Sequence, residues 1–541
     1  MEATYRKKYP FIDNEIIQSV TNLRRVVNQA VVHPDPVLKM DAPWDSPRDM
    51  FNCMNVIYDE RQKLFKMWYC VVDCHGQKWD GQRKWAYAVS EDGVQWEKPI
   101  LGLHEVNGTT KNNYIFPLSQ AFFFSLIDDP SDIDDRRYKM ICMAQQLYEG
   151  GQILDRVGYH VPLSLGYSHD GIDWQFPRHV NPVMRGVSDG GSVLFYDRDR
   201  RKYILWTRRV PNVPRDISQY ESWDLVNWED CGRVMVAGDE YDPPEMFNLQ
   251  SMTPLQYGDF YLGLIGAQCS LPFAESYESH NKPPAGFDHD RLGRIDIQLS
   301  WSRDGRTWHR PKDRTPVWPS GLRCNNREVP LIFPQFNAPP VVNGDTYIFS
   351  TGVEYRHSHW HAQEIYHRDK GDVRNQAFAM LAKMPEDRWM SLDAGDEEGI
   401  LLTREVGLPQ RLLVNTEIQA GGYIAAEYVT PYGEVCEGFS REECIPVTAS
   451  GKAQEIRWRA GKDGWPLNAK YLGGIFMRIF VKKAKLFSLI WEQPDPDGGA
   501  ARYWANNRWS QIIKHTSDQW GSKTNAPTPG LPPYQMRGPA Y

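Results

Sequence analysis

Acidic residues recur just before apolar, alternating stretches in the first two-thirds of the sequence. Two carboxyl groups that flank a glycosidic bond can cleave it, one as the proton donor and the other as nucleophile or base. If strands bring these stretches together, the residues predict such a site, with Asp189 as nucleophile or base and Glu245 as general acid. Asp45 and Glu328 are then expected to orient or tune the pair. An acid before a strand is also a common turn cap, so a purely structural role is the alternative for each of the four.

Other side chains near these acids have the chemistry to hold a sugar. Tryptophan stacks on sugar faces and arginine pairs with acidic groups, whereas carboxylates and imidazoles hydrogen-bond to hydroxyls. The histidines of "RHSHWH" alternate and would share one face of a strand, where they could contact sugar or zinc. Without carboxylate or cysteine partners nearby in the sequence, no metal site and no cofactor is predicted. The predicted substrate-binding residues are Trp44, Asp49, Arg208, His357, His359 and Trp360.

A repeated motif indicates how such distant residues could be brought together. "YAVSEDGVQWEKP" begins at Tyr87, "LGYSHDGIDWQFP" at Leu165 and "LSWSRDGRTWHRP" at Leu299, while "YESWDLVNWED" at Tyr220 lacks the glycine. Asp-Gly after an alternating run predicts a hairpin turn, because both residues tolerate a positive φ. A tryptophan then covers the end of each hairpin: Trp96, Trp174, Trp228 and Trp308.

Each copy of this motif follows a strand, a tight polar turn and a second strand, so one unit is a four-stranded antiparallel sheet. Five such units predict an all-β fold with a five-bladed β-propeller over residues 40–396. Residues 1–39 are expected to form an extension with a short helix within 13–27. Alternating strands over residues 397–492 predict a β-sandwich of two sheets. The Pro-rich tail over residues 493–541 lacks the apolar content to form a core.

Three stretches carry a family resemblance: "AVSEDGVQWEKPILGLHEVNGTTKNNYIF", "DIQLSWSRDGRTWHRPKDR" and "SLDAGDEEGILLTREV". They resemble uncharacterised bacterial five-bladed propeller proteins related to glycoside hydrolase families 32, the invertases and levanases, and 43. The resemblance covers roughly residues 40–490 and implies a propeller followed by a β-sandwich. It also implies that Asp45, Asp189, Glu245 and Glu328 match acids of that family. The invertase motifs Asn-Asp-Pro-Asn-Gly and Arg-Asp-Pro are absent, so fructoside specificity is not implied.

The amino-acid composition limits the kinds of molecule that the protein is expected to bind. Aromatic residues make up 13% of the chain, which suits β-rich cores and also sugar-binding clefts. The net charge is −7 with the two signs interspersed, which argues against nucleic acid as a partner. No apolar run reaches the roughly 18 residues of a membrane helix, so no membrane partner is expected. An odd number of cysteines, nine, and an N-terminus without an apolar leader favour a reducing, cytoplasmic setting.

These observations together predict a glycoside hydrolase or transglycosidase that binds a small oligosaccharide or glycoside in a propeller funnel. One alternative is a non-catalytic carbohydrate-binding or scaffold propeller. Another is a phosphorylase or lyase on the same frame, which would need a basic cluster beside the acids. The sequence leaves open whether hydrolysis retains or inverts the anomer, and whether the sandwich forms an interface between copies of the chain.

Overall fold

A computed structural model describes residues 4–73, 83–119, 122–129, 132, 134–143, 162–187, 190–209, 215–270, 291–324, 327–357, 372–406, 411–459 and 475–494. Within these ranges the chain is all-β, and its one helical element is a 3-10 turn at Asp134–Arg136. The predicted all-β class is therefore confirmed. No helix in this part of the chain is long and apolar enough to cross a membrane. The eight cysteines that it includes are free thiols.

The chain begins with four strands: β1 (Thr4–Pro10), β2 (Ile17–Thr21), β3 (Arg24–Val27) and β4 (Val31–Val32). The short helix predicted within residues 13–27 is wrong, since β2 and β3 occupy that stretch. Both strands are rich in residues that favour extended backbone, and each pairs with a strand from the C-terminal region. Long-range pairing outweighs a weak helical period that spans only four turns.

Antiparallel units follow, which we number I to V. Unit I contains β5 (Asp49–Asp59), β6 (Leu64–Asp73), β7 (Arg83–Ser90) and β8 (Tyr114–Ser119). Unit II contains β9 (Phe122–Asp128), β10 (Tyr138–Met143) and β11 (Leu163–Ser168). Unit III contains β12 (Val193–Asp197), β13 (Lys202–Thr207), β14 (Ile217–Ser222) and β15 (Trp228–Met235). In each unit, strands that are consecutive in the chain are neighbours in the sheet.

Unit IV contains β16 (Met246–Tyr257), β17 (Phe260–Cys269), β18 (Ile295–Ser302) and β19 (Pro316–Trp318). A hairpin of β20 (Leu322–Cys324) and β21 (Arg327–Val329) leads to unit V. Unit V contains β22 (Leu331–Pro334), β23 (Val341–Val342), β24 (Asp345–Val353) and β25 (Ala377–Met384). Its outer strand is β4, which pairs with β25. Residues from the start of the chain therefore complete the last unit.

The repeated turn has the same hydrogen bonds in all four copies. The serine hydroxyl donates to the Asp carboxylate. It also accepts the backbone N–H of the residue three positions after the serine, which we call the third turn residue. One oxygen of the Asp carboxylate also accepts the backbone N–H groups of the two residues after the third turn residue. The third residue has a positive φ, 66° at Leu225 and 70–82° at the glycines of the other copies. The copy without glycine therefore keeps the geometry of the repeat.

The first strands of the five units contact one another through buried polar side chains. Asn55 of β5 exchanges two hydrogen bonds with the backbone of β9. Ser125 of β9 accepts a backbone N–H of β12 at 2.7 Å, and β12 contacts β16. Thr253 of β16 donates to the carbonyl of Gln335, and Asn337 exchanges two hydrogen bonds with Val56 of β5. The contacts thus run from unit I through the other units and back to unit I.

The C-terminal ends of the first strands of units I to IV, with the loop that follows β22 of unit V, surround a single cavity. Its volume is about 570 Å³, and its lining includes Tyr58, Asp128, Tyr196, Gln256 and Ala338, one residue from each unit. Strand direction alternates in an antiparallel sheet. The starts of the first strands, the ends of the second strands and the starts of the third strands therefore lie at the opposite end, which we call the entry end.

The C-terminal region adds β26 (Met390–Ala394), β27 (Gly399–Thr403), β28 (Arg411–Val429), β29 (Cys444–Ile445), β30 (Gly451–Trp458) and β31 (Phe476–Pro494). Two separate sheets were expected here. In the described residues these strands instead join β1, β2 and β3 in one nine-stranded hydrogen-bonded network. The reason is the length of β31, which pairs along its length with β27, β26 and β1 in turn and with β28 throughout.

Candidate functional site

Several of the predicted site residues lie at the entry end. Asp49 is the first residue of β5, Glu245 immediately precedes β16, and Arg208 immediately follows β13. Backbone contacts join their surroundings across units: Val373 donates to the carbonyl of Pro47, and His357 donates to that of Gly293. The antiparallel order of the strands therefore brings residues from units I, III, IV and V to the same end.

Two of the predicted acids share one hydroxyl group in unit I. The Tyr114 hydroxyl lies 3.2 Å from Asp45 Oδ1 and 3.4 Å from Asp49 Oδ2. Asp49 is fully buried, with Lys84 Nζ at 2.6 Å and the backbone N–H of Ser46 at 2.9 Å. This places Asp45 and Asp49 in one cluster, as the sequence predicted for the start of the first unit.

Asp45 is the more completely anchored of the two. Its Oδ2 atom accepts Lys98 Nζ at 3.0 Å and the backbone N–H of Ala42 at 2.9 Å. With Tyr114 on its other oxygen, Asp45 is held on both sides of the carboxylate. These contacts fix the direction of the Asp45 carboxylate, and its orienting or tuning role stays a prediction.

The electrostatics of Asp49 differ from those of an ordinary surface acid. Burial raises the pKa of Asp49, the Lys84 ammonium opposes that rise, and the charge of Asp73 adds to it. Asp73 is the residue directly opposite Asp49 in the β5–β6 ladder. Burial and the charges of Asp45 and Asp49 also raise the pKa of Tyr114. A carboxyl group whose pKa is raised can keep a proton closer to neutral pH, which general acid–base catalysis requires.

Glu245 is buried at the start of unit IV. It is 3% exposed, and its Oε1 atom accepts Arg291 Nη1 at 2.8 Å. Its carbonyl accepts the backbone N–H of Ser270, which follows β17. The contacts on both ends of the residue fix the carboxylate at the entry end of β16.

Arg208 belongs to a buried polar network between units III and IV. Its Nε atom donates to the carbonyl of Gly190 and its Nη1 atom to Gln250 Oε1, each at 2.9 Å. Gly191 has a φ of 73°, and a Cβ there would lie 2.1 Å from the carbonyl oxygen of Gln250. The close approach of the two backbones therefore requires glycine at position 191, two residues after Asp189, which itself lies outside the described residues.

Glu328 differs from the buried acids in its exposure. Its side chain lies on β21, is 53% exposed and pairs with Arg294 Nη2 at 2.6 Å. An exposed carboxylate in an ion pair has the environment of an ordinary surface acid. The orienting or tuning role of Glu328 stays a prediction.

Two of the four predicted aromatic and histidine residues, Trp44 and His357, lie within the described residues. Trp44 donates its indole N–H to Asn113 Oδ1 at 3.0 Å and packs against the core of unit I. His357 lies beside Phe333 at the entry end of unit V, with ring centroids 6.3 Å apart. His359 and Trp360 lie outside the described residues. No group of three His, Cys, Asp or Glu in the part of the chain described is placed to hold a metal ion.

Sequence reasoning missed several partners of these acids. Lys84 contacts Asp49, Tyr114 joins the two aspartates, and Glu354 forms a bidentate pair with Arg327 at 2.7 and 2.9 Å. One signal was available for Lys84, which stands in the apolar strand "RKWAYAVS". A charged residue inside a buried strand usually has a charged partner.

Comparison with known proteins gives matches only among solved structures. No protein-family model and no curated protein matches this chain. It is similar to a fructofuranosidase from Schwanniomyces occidentalis, with 12% identity, 85% of this chain and 97% of that chain covered, and a TM-score of 0.39. A GH32 β-fructofuranosidase from Bombyx mori gives 12%, 86%, 95% and 0.40, and a glycosyl hydrolase from Bacteroides ovatus gives 10%, 66%, 94% and 0.43.

All three of these neighbours are glycoside hydrolases.

Proposed function

We propose that this chain is a glycoside hydrolase or transglycosidase built as a five-bladed β-propeller followed by a β-sandwich, in which the single nine-stranded network folds over into two layers. Units I to V correspond to the blades, and β4 completes the last of them. The cavity is lined by the ends of the first strands of units I to IV and by the loop that follows β22 of unit V, and it supports this radial arrangement. The substrate is a small oligosaccharide or glycoside that binds at the entry end.

One observation carries the proposed activity. Asp49 and Glu245, from the first strands of units I and IV, are buried carboxylates at the same end of the units. Burial away from water strengthens their interactions with a developing charge. Glycoside hydrolysis needs carboxyl groups in such an environment, and here Glu245 supplies one of the reacting pair and Asp49 a third acid at the same end.

In the proposed reaction Glu245 protonates the leaving oxygen, and Asp189 acts as nucleophile or base. Asp49, whose pKa burial raises, is the third acid and contacts the sugar. Asp45 positions Asp49 through Tyr114. Arg208, which is already hydrogen-bonded to Gly190, holds the segment next to Asp189.

The test is activity toward a panel of 4-nitrophenyl glycosides, each assayed with and without inorganic phosphate. We expect Asp189→Asn, Glu245→Gln and Asp49→Asn each to lower kcat by about 10²–10⁴, the usual range for a lost acid or base. The matched controls are Glu60→Gln and Asp396→Asn, exposed acids in surface ion pairs, which should leave kcat unchanged. Activity that survives both Asp189→Asn and Glu245→Gln would refute the proposed site.

The ion pairs of these acids are the observation that favours both alternative functions. Asp45, Asp49 and Glu245 are each already paired with a lysine or arginine, as expected for a non-catalytic carbohydrate-binding propeller. The same cations beside acids also suit a phosphorylase, which must hold phosphate. Binding of monosaccharides by the wild type without any turnover would indicate the first, and turnover only with phosphate would indicate the second.

A further inference from the structure

In two of the units a buried cation follows the repeated turn. The residue two positions after the tryptophan of the turn is Lys98 in unit I and Arg310 in unit IV. In both units it directly follows the residue that bridges back to the third strand. Only 10% of the Lys98 side chain and 5% of the Arg310 side chain are exposed. Units II and III have Phe176 and Asp230 at this position, so the turn itself does not require the cation.

Each cation binds a buried aspartate that precedes the first strand of its own unit. In unit I, Lys98 Nζ lies 3.0 Å from Asp45 Oδ2. In unit IV, Arg310 Nη1 lies 2.8 Å from Asp242 Oδ2. Neither aspartate side chain is exposed, and each Oδ2 atom also accepts a backbone N–H from the turn before it. The same arrangement of cation, aspartate and turn therefore occurs in two units of different sequence.

Both of these aspartates stand shortly before an acid of the proposed site. Asp49 follows Asp45 by four residues, and Glu245 follows Asp242 by three. Unit II, which lacks the cation, also lacks an acid in "NNYIFPLSQAFFF" at the start of its first strand. In unit III the acid at this place is Asp189, which lies outside the described residues. Among the described units, the buried cation thus accompanies the buried site acid.

Arg310 contacts the chain on both sides of Glu245. Its Nη2 atom lies 2.9 Å from Asp242 Oδ1, before the acid, and 3.4 Å from Met246 Sδ, after it. The same atom donates to Gln298 Oε1 at 2.9 Å, which holds the guanidinium against β18. A planar guanidinium that binds a carboxylate through two nitrogens has a single favourable orientation. One buried side chain therefore fixes both ends of the short segment that carries Glu245.

The segment between these contacts has little freedom of its own. Asp242 and Glu245 are separated by Pro243 and Pro244, whose rings fix φ. The backbone N–H of Met246 donates to the carbonyl of Pro243 at 2.8 Å, which closes a turn around Glu245. A displacement of Asp242 is therefore passed on to Glu245, because the residues between them cannot absorb it.

Asp242 has a second cation besides Arg310. Arg314 Nε lies 2.7 Å from Asp242 Oδ1. Burial raises the pKa of Asp242, but the hydrogen bonds and charges of the two arginines together lower it below its usual value. Asp242 is therefore an ionised acceptor at neutral pH. Since Arg314 remains, loss of Arg310 would not leave a buried carboxylate without a counter-ion.

We propose that Arg310 and Asp242 are positioning residues for Glu245, as Lys98 and Asp45 are for the acid of unit I. This inference rests on the proposed function, in which Glu245 is the general acid. Neither positioning residue contacts the substrate. They hold the Glu245 carboxyl at the leaving oxygen, so that its proton passes to that oxygen as the glycosidic C–O bond breaks.

The test compares Arg310→Met with the wild type on the 2,4-dinitrophenyl, 4-nitrophenyl and phenyl glycosides of one sugar, the one that the wild type cleaves fastest. Phenol is a poor leaving group and needs the proton of the general acid, whereas 2,4-dinitrophenolate leaves without it. We expect kcat/KM for the phenyl glycoside to fall about 10²-fold, as for a catalytic group misplaced by about 1 Å. For the 2,4-dinitrophenyl glycoside it should fall less than about threefold, because protonation contributes little there.

The matched control is Lys66→Met, at the end of the units opposite the entry end. Lys66 is a buried cation, 7% exposed, on the buried Asp59, which keeps a second cation, Arg137, at 3.1 Å. It should lower Tm as Arg310→Met does, but kcat/KM should not depend more on the leaving group than in the wild type. If Arg310→Met does not fold, Arg310→Lys takes its place. It keeps the charge but not the bidentate contact, so the same dependence on the leaving group is expected.

The double variant Arg310→Met/Glu245→Gln is the second measurement. It should cleave the phenyl glycoside no more slowly than Glu245→Gln alone, because the group that Arg310 positions is gone. An equal loss on all three glycosides in Arg310→Met, no loss on any, or losses that multiply in the double variant would overturn the inference and leave Glu245 as the general acid. If Glu245→Gln itself loses no more on the phenyl than on the 2,4-dinitrophenyl glycoside, or if the wild type cleaves none of them, the proposed function fails and the inference with it.

Discussion

The buried pair of Asp49 and Lys84 is the clearest residue-scale feature of the entry end. Lys84 is 3% exposed and Asp49 is not exposed, with 2.6 Å between their charged atoms. Removal of one partner from a buried pair leaves a charge without water or a counter-ion, which typically costs about 3–5 kcal/mol. A substitution of either residue should therefore lower the stability of unit I as well as change the site.

We predict a pH-dependent loss of stability in Lys84→Met. Burial already raises the pKa of Asp49 in the folded protein above its unfolded value, so this group stabilises the fold at low pH. That contribution is lost as pH rises through the folded pKa. Without Lys84 the rise is larger, so the free energy of unfolding should fall by about 3 kcal/mol at pH 8 and by clearly less at pH 5.

Urea unfolding monitored by tryptophan fluorescence at both pH values measures this difference. The double variant Asp49→Asn/Lys84→Met should show little dependence on pH, because the titrating group is gone. Lys63→Met, which removes an exposed partner of Glu60, is the control and should behave as the wild type at both values. Equal losses at pH 5 and pH 8 would contradict the prediction.

Individual site residues were predictable only in part. The acids at strand starts could be found because they stand where an apolar run begins, and Asp49 and Glu245 do lie at the entry end. Exposure could not be read from the sequence: Glu328 has the same flanking pattern but lies on a surface hairpin. Its position depends on the pairing of β20 with β21, which long-range packing decides.

At the scale of elements, the repeated turn is the best-determined feature of the chain. Its serine, aspartate and third residue satisfy backbone groups locally, so the same turn forms in different surroundings. Local hydrogen bonds of this kind are what sequence patterns record most faithfully. Leu225 keeps its positive φ because the Ser and Asp contacts of its copy are intact.

We predict that Asp224→Ala destabilises the protein in a way that disappears in acid. Burial is the largest single effect and raises the pKa of Asp224, but the hydrogen bonds from Asn227, Val226 and Ser222 together lower it to about 2. A lowered pKa gives stability above the unfolded value near 3.9 that is lost as pH falls toward 2. Since the side chain is largely exposed, the cost at pH 7 should be only about 1 kcal/mol.

Thermal unfolding followed by circular dichroism at pH 7 and pH 3 is the measurement. Glu229→Ala, on the same hairpin and exposed, should not shift Tm at either pH. A Tm difference for Asp224→Ala that stays constant between the two values would show that the carboxylate charge is irrelevant to the turn.

At the scale of the whole molecule, the sequence predicts the order of the units but not the pairing that completes the last of them. The strand–turn–strand pattern predicts units I to V, yet nothing in "VV" at β4 indicates a partner some 350 residues away. The pairing of β4 with β25 and that of β1 with β31 join strands that are neighbours only in the folded chain. The pairings of β2 with β27 and of β3 with β26 replace the short helix that the local pattern favoured.

We predict that the first 39 residues are required for a cooperative fold. Without them unit V loses β4 and its neighbours Val37 and Leu38, which exchange hydrogen bonds with Ala379. The C-terminal sheet loses β1, β2 and β3 at the same time. A variant that lacks residues 1–39 should show no cooperative thermal transition, whereas one that lacks only residues 1–10 should unfold cooperatively at a lower Tm.

Differential scanning calorimetry distinguishes these outcomes, with the full chain as reference. A variant without residues 1–39 that unfolds at the Tm of the full chain would mean that the N-terminal strands add nothing to either region.

The pairing of Thr4 with Pro494 also sets a schedule for synthesis on the ribosome. The segment around Thr4 waits for its partner until roughly 490 further residues have been translated. Edges left open for so long invite association between nascent chains, and contacts this distant in sequence form slowly. Chaperone dependence and slow refolding after dilution from denaturant are the expected physiological consequences of joining two strands so distant in sequence.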